Sequence, residues 1–334
     1  QAHELGMYVI LDWVANHTAW DHAWITDHPE WYTKDENGEM IAPFDWTDVA
    51  KLNYDNDDMR NSMIEALKFW VTEADIDGYR CDVAAEVPTD FWNDARAALD
   101  SVKPVFMLAE AEEPEHHIHA FDMSYAWELH HIMNSIAKGE KSNSDLDAYF
   151  AKRDTLYPDD AYRMIFITNH DENSWNGTVF ERMGEGAEAF AMLTYTLPGM
   201  PMIYSGQEAG LDKRLRFFAK DTIPWGDFKY EKLYTMLGQL RKDNPALWSG
   251  LAGGEMKRIK VSDEAVYAFK RIRDDNEVLV LVNLSHEERS FSLKTNESAK
   301  ERIDYFTGEK ITLSKGMEMK LDKWQYKVLL PFQE

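Results

Sequence analysis

The segment IDGYRCDVAAEVPTDFWNDARAALDSVKPVFMLAE, residues 76–110, decides the fold class. It predicts a strand near residues 76–82, a helix at about 90–100 and a second strand at 104–110. The same alternation predicts further strands at 7–11, 120–125, 164–169 and 201–204, and helices around 126–137, 144–153, 184–196 and 229–242. Six strands separated by helices predict a parallel α/β sheet or a (β/α) barrel.

The pattern changes near residue 250. Short apolar strands at 266–269, 278–282, 291–293 and 326–329 then follow one another without intervening helices, which predicts an antiparallel β domain. Residues 18–57 form an irregular stretch too long for an ordinary connection, which predicts an inserted subdomain. We therefore predict a catalytic barrel over residues 1–248, with the inserted subdomain at about 18–57, and an all-β domain over 249–334.

A closed barrel of this kind has eight parallel strands, so the pattern is two strands short. Residues 1–6 read as the last turn of a helix with Gly6 as its cap. We expect that a preceding segment supplies the first two strands. The alternative is that a partner chain closes the gap, which would make the protein an oligomer.

Composition excludes several classes of protein. No apolar run approaches the ~18 residues of a membrane span. With 60 acidic and 36 basic residues among 334, the net charge of −24 disfavours nucleic acid as a partner. The one cysteine, Cys81, excludes an internal disulfide framework and does not fix a compartment. Twelve Trp, 15 Tyr and 16 Phe supply flat apolar faces of the kind that stack on sugars.

Polar residues stand where four predicted strands end: Asp12 with Asn16 and His17, Arg80 with Asp82, Glu110, and His170 with Asp171. In a barrel these ends lie on one rim, so the side chains converge on one pocket. Buried carboxylates are costly unless they are paired or used in chemistry. Each motif alone also fits a structural role, since Arg80 can simply pair with Asp82 and with Asp12. The shared position at strand ends is what favours an active site.

Asp82 and Glu110 are the pair best suited to catalysis. Neighbouring strands lie about 4.8 Å apart, and a retaining glycosidase needs two carboxyl groups about 5 to 5.5 Å apart. Arg80 favours the ionised form of Asp82, whereas the apolar run Phe106–Ala109 before Glu110 favours a protonated acid. The sequence therefore predicts glycoside chemistry at this rim.

Four segments carry a resemblance to a known family. They resemble, in order and spacing, the four signature regions of the α-amylase superfamily, glycoside hydrolase family 13. These segments are residues 12–17 (DWVANH), 78–82 (GYRCD), 108–110 (LAE) and 166–171 (FITNHD). Residues 49–53 (VAKLN) are similar to a fifth region, in the form found in neopullulanases and cyclomaltodextrinases. Residues 199–208 are similar to the family's last barrel strand. The resemblance implies a (β/α)8 TIM-type barrel followed by a C-terminal antiparallel β-sandwich.

The resemblance also implies a function, retaining hydrolysis of α-1,4-linked glucans in starch or maltooligosaccharides. It implies Asp82 as nucleophile, Glu110 as acid/base and Asp171 as the third acid that orients the sugar. The implied sugar-binding residues are Asp12, His17, Arg80 and His170. An α-glucan transglycosylase remains an alternative, as does a non-catalytic glucan-binding scaffold if the incomplete barrel cannot form the site.

The expected chemistry requires no cofactor. Asn16 often belongs to a calcium site in the family, but residues 18–57 show no obvious ligand set, so we expect no metal and keep Ca²⁺ as the one candidate. Five further histidines lack the spacing of a metal site, and we expect them on a solvated segment and helix face: His116, His117, His119, His130 and His131.

Aromatic residues complete the expectations. Trp46, in the inserted segment, is a candidate platform for an outer sugar subsite. Trp127 and Trp175 are each either sugar platforms or core residues. Cys81 is expected to be a small strand residue that faces the barrel exterior.

Overall fold

The computed structural model describes residues 1–294, 300–314 and 316–332. The chain divides into two compact units, Gln1–Tyr125 with Leu156–Ala161, and Ala126–Thr155 with Tyr162–Glu334. Each unit is described by itself below. Among the described residues, no helix combines the length and the apolar character that crossing a membrane requires. The domain boundary at residues 248 and 249 stays a prediction.

The first unit is built around parallel strands. Its described elements are β1 (Ile10–Val14), β2 (His17–Ala19), α1 (Ala23–Asp27), β3 (Val49–Lys51), α2 (Asp57–Glu73), β4 (Gly78–Asp82), α3 (Thr89–Asp100), β5 (Phe106–Ala109), α4 (His116–His119) and β6 (Met123–Tyr125), with 3₁₀ turns at His3–Leu5, Pro29–Trp31 and Ala84–Glu86. Strands β1, β4, β5 and β6 pair in parallel in that order, and β2 pairs antiparallel with β3. The strands predicted near 76–82, 104–110 and 120–125 are confirmed.

Two local features explain why this sheet forms. The side chain of Asn56 accepts a hydrogen bond from Met59 N at 3.0 Å and so caps the start of α2. The helix then buries one apolar face with four residues spaced four apart: Met59, Met63, Leu67 and Val71. At the start of β4, Gly78 has φ +152°, and a Cβ there would lie 1.8 Å from the Phe106 carbonyl oxygen. Only glycine therefore allows β4 to lie this close to β5.

The first strand differs from its prediction. The sequence predicts a buried strand at 7–11, whereas β1 runs over Ile10–Val14. Met7 and Tyr8 are instead exposed. The parallel register, in which Ile10 faces Gly78 and Val14 faces Asp82, determines the pairing. Asp12 therefore lies inside the strand, opposite Arg80, and does not follow its end.

The second unit combines helices, two parallel strands and antiparallel sheets. Its described elements are α5 (Trp127–Ala137), α6 (Asn143–Leu156), β7 (Tyr162–Ile165), a π-helical turn (Glu172–Asn176), α7 (Val179–Met183), α8 (Ala187–Thr196), β8 (Met200–Pro201), α9 (Glu231–Asp243), β9 (Glu255–Arg258), β10 (Val266–Arg273), β11 (Asn276–Asn283), β12 (Arg289–Ser292), β13 (Lys300–Asp304), β14 (Lys310–Leu313), β15 (Glu318–Leu321) and β16 (Tyr326–Pro331), with 3₁₀ turns at Gly184–Gly186, Pro245–Leu247 and Gly250–Ala252. Strands β7 and β8 pair in parallel.

The strands after residue 250 form antiparallel sheets, as the sequence predicts. One sheet has the order β14-β13-β16-β11-β10-β9, and β12 pairs with β15. A core packs between them, with Phe291 of β12, Leu321 of β15 and Leu281 of β11 among its buried residues. Alternating burial along β14 and β15 marks one face toward this core and one toward solvent.

Candidate active site

The parallel register of the first unit aligns the candidate catalytic residues. Asp12 on β1 faces Arg80 on β4, and Cys81 on β4 faces Ala109 on β5. Asp82 is the last residue of β4 and Glu110 directly follows β5, so their side chains leave neighbouring strands at the same level. The predicted adjacency of these two strand ends is confirmed.

Arg80 is the centre of this cluster. Its Nη1 lies 2.9 Å from Asp12 Oδ1 and 2.6 Å from Asp82 Oδ1. Its Nη2 lies 2.8 Å from Glu110 Oε2. Arg80 is 7% exposed, so its ion pairs with Asp82 and Glu110 are largely shielded from solvent. The Asp12 side chain is 58% exposed, so its ion pair with Arg80 is more accessible to solvent. Burial by itself lowers the pKa of Arg80, but the acidic groups around it outweigh burial and raise the pKa, so the guanidinium stays charged.

The two catalytic candidates therefore share one cation, which the sequence did not predict. The expected contrast was an ionised Asp82 beside Arg80 and a Glu110 among apolar residues. Glu110 instead contacts Arg80 as well, because β5 runs directly beside β4 and brings its last side chain to the same guanidinium. Tyr125 at the end of β6 completes the surroundings, since Arg80 Nε donates to its hydroxyl at 3.2 Å. Burial raises the pKa of that hydroxyl to about 12, against the opposing charge of Arg80, so it remains protonated.

The backbone after Asp82 has an unusual conformation. Val83 has φ +44°, a left-handed conformation that β-branched residues rarely adopt. In this conformation the Val83 N–H donates to Glu110 Oε2 at 2.9 Å. A strained residue therefore lies between the two candidate carboxylates and holds one of them, which is typical of functional sites. No pattern in the sequence indicated this conformation.

His17 lies in the same unit, at the start of β2. Its ring contacts Trp46 edge-on, with ring centroids 5.6 Å apart. Burial lowers the pKa of His17, although the negative charges of Asp82 and Asp48 oppose that effect. The imidazole is therefore neutral at pH 7 and can both donate and accept hydrogen bonds.

His170 and Asp171 belong to the second unit. His170 Nε2 lies 3.4 Å from Asp171 Oδ2, and both side chains are partly exposed. They directly precede the π-helical turn Glu172–Asn176. Asn169 fixes the start of this turn, because its side-chain oxygen accepts from Glu172 N at 2.7 Å.

A buried ionic cluster contains Glu172, the residue that directly follows Asp171. Glu172 Oε2 lies 3.1 Å from His130 Nε2 and 3.7 Å from Arg182 Nη1. The Arg182 guanidinium also donates to Asn134 Oδ1 at 2.6 Å and to the Ile167 carbonyl at 2.8 Å. Burial alone raises the pKa of Glu172, but His130 and Arg182 outweigh it and lower the pKa to about 2. The residue after the FITNHD motif is therefore a buried anion.

Two of the five histidines expected on a solvated segment and helix face, His119 and His131, are exposed as predicted, whereas the buried His116 and His130 are a correction. His130 is 0% exposed and His116 is 1% exposed, so neither lies on a solvated face. Burial lowers the pKa of both imidazoles. The sequence offered one overlooked indication: His130 and Asn134 lie four apart on α5, on which the nearby Leu129, Ile132 and Met133 are apolar. Cys81 is also fully buried, among the core residues of the first unit.

The structure places Asn16, the candidate calcium ligand, beside His17. Asn16 is buried and its amide nitrogen lies 3.5 Å from His17 Nδ1. Across the described residues, no group of three or more His, Cys, Asp or Glu side chains is arranged to hold a metal ion. Calcium also binds amide and backbone carbonyl oxygens, so the expectation that no metal is required stays a prediction.

Comparison with known proteins identifies the family. A family model described as the catalytic domain of alpha amylase matches residues 27–265. The chain belongs to the α-amylase family. The alpha-amylase MalA of Haloarcula japonica is 28% identical over 310 residues, which cover 87% of this chain and 45% of that protein. Alpha-amylase 3 of Dictyoglomus thermophilum is 26% identical over 388 residues, which cover 94% of this chain and 75% of that protein.

Solved structures agree with this family. A maltogenic alpha-amylase, AmyB from Thermotoga neapolitana, has a TM-score of 0.89 at 28% identity and covers 100% of this chain and 79% of its own. An alpha-amylase from Lactobacillus plantarum has a TM-score of 0.86 at 25% identity, covering 99% of this chain and 80% of its own. The predicted fold class, a TIM-type (β/α) barrel with a C-terminal antiparallel β-sandwich, is confirmed. The chain spans about half the length of several α-amylase relatives, MalA among them.

Proposed function

We propose that this α-amylase family chain is a retaining glycoside hydrolase that cleaves α-1,4-glucosidic bonds in starch or maltooligosaccharides. The observation that carries the proposal is the pair of carboxylates on adjacent strand ends, Asp82 and Glu110, joined through Arg80. Two carboxyl groups on neighbouring strands match the short separation that a covalent mechanism requires. The names of its relatives, alpha-amylase and maltogenic alpha-amylase, agree with this substrate class.

In the proposed reaction Asp82 attacks the anomeric carbon while Glu110 protonates the leaving oxygen. The resulting bond between the Asp82 carboxylate and the sugar is then broken by water, which loses its proton to Glu110. Two inversions at the anomeric carbon give a product with the α configuration. Glu110 has to leave its ion pair with Arg80 to donate a proton, whereas Asp82 keeps its 2.6 Å contact with Arg80.

The remaining predicted residues have supporting roles in this proposal. Asp171 is the third acid that orients the sugar and stabilises positive charge at the anomeric carbon. The sugar in the cleavage subsite is bound by His17, Arg80 and His170, with Asp12 holding Arg80 at 2.9 Å. A neutral His17 suits this role, because sugar hydroxyl groups both donate and accept hydrogen bonds.

Azide rescue tests the two central assignments. Asp82→Ala should release a β-glycosyl azide from 4-nitrophenyl maltoside, because azide replaces the missing nucleophile in a single inversion. Glu110→Ala should give the α-glycosyl azide, because azide attacks the covalent intermediate. Asp90→Ala, which removes an exposed acid paired with Arg60, is the matched control and should keep wild-type turnover. If Asp82→Ala gave the α-azide and Glu110→Ala the β-azide, the two catalytic roles would be reversed. If both variants lost turnover equally and released no glycosyl azide, the assignment of Asp82 and Glu110 as the catalytic pair would be refuted.

Three further readouts test the reaction class. Proton NMR of the wild-type reaction should show the α-anomer first, and a β-anomer would overturn the mechanism. A ladder of products longer than the substrate would show transglycosylation instead of hydrolysis. Binding of maltoheptaose without any turnover would show a glucan-binding scaffold.

We also propose that turnover needs no resident cofactor or metal. Dialysis against a calcium chelator should leave kcat for the maltoside within about twofold of its starting value. Loss of activity that added Ca²⁺ restores would contradict this proposal and would show that the chain binds calcium.

The outer edge of β1 is the basis of a proposal about what this strand pairs with. Among the described residues of the first unit, β1 pairs with β4 alone, and its Ile10 and Val14 are exposed. Exposed strand edges with apolar residues tend to gain a further strand. We propose that this edge is paired in the active protein, either by preceding chain or by a second copy. Size-exclusion chromatography with an activity assay tests it, and a stable, fully active monomer of these 334 residues would refute it.

A further inference from the structure

An exposed cluster of aromatic rings, here called the aromatic platform, lies just after the FITNHD motif. It consists of Trp175, Phe217 and Phe218, which are 55%, 48% and 76% exposed. The Trp175 ring centroid lies 4.9 Å from that of Phe217 and 6.0 Å from that of Phe218, and the two phenylalanines are 5.0 Å apart. Three large rings therefore contact one another while leaving about half or more of each exposed.

Buried hydrogen bonds hold the platform together. Asn173, which is 2% exposed, donates to the Lys213 carbonyl at 3.0 Å and accepts from Leu215 N at 2.8 Å. Ser174 Oγ donates to the Leu215 carbonyl at 2.8 Å. The loop that carries Phe217 and Phe218 is thus tied to the turn that carries Trp175. The rings are fixed before any ligand arrives, which reduces the entropy lost on binding.

The other end of the same loop is fixed as well. Asp221 forms an ion pair with Lys213 and accepts from the backbone nitrogens of Thr222, at 2.8 Å, and Arg216, at 3.1 Å. Residues 213–222 therefore form a closed loop whose base is held by charge and whose exposed face is aromatic. A loop that served only as a connection would not require two exposed rings, Phe217 and Phe218, since exposed rings cost free energy in water.

We propose that the aromatic platform binds a neutral α-glucan chain by stacking on its glucose rings. The substrate class rests on the proposed function, and the binding site is new to it. Sugars present flat apolar faces to which aromatic rings are complementary. The rings carry no charge, so stacking on them requires no charge on the ligand. Trp175 follows Asp171 by four residues, so a chain bound here is held by the same segment as the third acid.

The size of the platform favours a sugar over a protein partner. At 150–250 Å² per aromatic side chain, the exposed part of the three rings amounts to about 400 Å². A stable protein interface needs about 800 Å² on each side. The platform is about half that size, which suits two or three glucose units in a row.

Calorimetric titration of maltoheptaose into the Asp82→Asn protein tests the proposal. Adding Trp175→Ala to this background should raise the Kd about tenfold, and adding Phe218→Ala should raise it about fivefold. Trp175→Phe should stay within about threefold, since it keeps a ring. Trp70→Ala is the matched control, because Trp70 is also exposed and contacts the exposed Phe69, but lies on α2; its Kd should not change.

The outcomes separate this inference from the proposed function. Turnover of 4-nitrophenyl maltoside by the wild-type chain, with unchanged maltoheptaose affinity in Trp175→Ala and Phe218→Ala, would refute the platform alone. Absence of turnover with intact maltoheptaose binding that depends on Trp175 would refute the hydrolase and retain the platform. A change of oligomeric state in Trp175→Ala with unchanged affinity would identify a protein contact and overturn the proposal.

Discussion

Glu172 provides the sharpest test of how the second unit holds its part of the site. This carboxylate is 6% exposed and lies between His130 and Arg182. We predict that Glu172→Gln lowers the free energy of unfolding by about 3 kcal/mol at pH 7. The change keeps the size of the side chain and a hydrogen-bond acceptor for Asn176, which donates to it at 2.9 Å. The decrease in the free energy of unfolding therefore measures the contribution of the negative charge of Glu172.

Two independent arguments give this magnitude. The pKa of Glu172 falls from an ordinary 4.5 to about 2 in the folded chain, which corresponds to about 3 kcal/mol of stabilisation of the ionised form. Removing one member of a buried ion pair costs about 3 to 5 kcal/mol. The lower end of this energy range applies to Glu172→Gln, because Arg182 lies 3.7 Å from Glu172. In the variant, Arg182 still keeps Asn134 and two backbone carbonyl groups as hydrogen-bond partners.

The effect has a defined dependence on pH. Because the pKa of Glu172 is lower in the folded than in the unfolded chain, its stabilisation is fully present above about pH 4.5 and is lost as the pH falls toward 2. By pH 3 the difference between wild type and Glu172→Gln should shrink to about half. The variant and the wild type should therefore converge in acid.

Urea unfolding followed by tryptophan fluorescence at pH 7, 5, 4 and 3 measures this difference. Glu185→Gln is the control, since Glu185 is an exposed acid of the same unit paired with Lys323, and exposed pairs contribute about 0 to 1 kcal/mol. A cost below about 1 kcal/mol for Glu172→Gln at pH 7, or a difference that stays constant down to pH 3, would refute the reasoning.

Three further predictions concern the first unit. Arg80→Lys should lower kcat for the maltoside at least 100-fold, because one ammonium cannot contact three acids in the way that the guanidinium does; activity within tenfold of wild type would contradict this. Val83→Gly should change the free energy of unfolding by less than about 1 kcal/mol, since relief of the left-handed φ offsets the lost side chain, whereas Val49→Gly in a regular strand should destabilise the chain by more in the same urea titration. Trp46→Ala should raise KM for maltooligosaccharides more than it lowers kcat, because Trp46 contacts His17 and offers a ring to the sugar; a loss confined to kcat would place the residue outside an outer subsite.

Much of the first unit's site follows from sequence because its geometry is local and periodic. Arg80 and Asp82 lie two apart on a strand, so they share a face, and their 2.6 Å contact needs nothing more than a regular β conformation. The pairing of β4 with β5 then brings Glu110 beside Asp82. Both steps use spacing that can be read directly from the residues.

The parts that sequence did not predict depend on contacts between distant elements. The predicted start of β1, residue 7, is three residues too early, because an apolar run does not show which of its residues pair with the neighbouring strand. His130 and Glu172 are 42 residues apart, and neither carries a local pattern that distinguishes a buried ionic partner from a solvated one. Their pairing becomes visible only when α5 and the π-helical turn are packed together.

The shared guanidinium of Arg80 also changes how the proposed acid has to work. If Glu110 lay among apolar groups alone, desolvation would keep it protonated without any movement. Its contacts with Arg80 Nη2 and Val83 N–H favour the anion instead. Both contacts are made to the same oxygen, Glu110 Oε2, so we predict that both change when the acid carries its proton. Substrate binding and proton donation are coupled in this arrangement, so the acidic limb of the kcat/KM profile, which reports free enzyme, should differ from that of kcat.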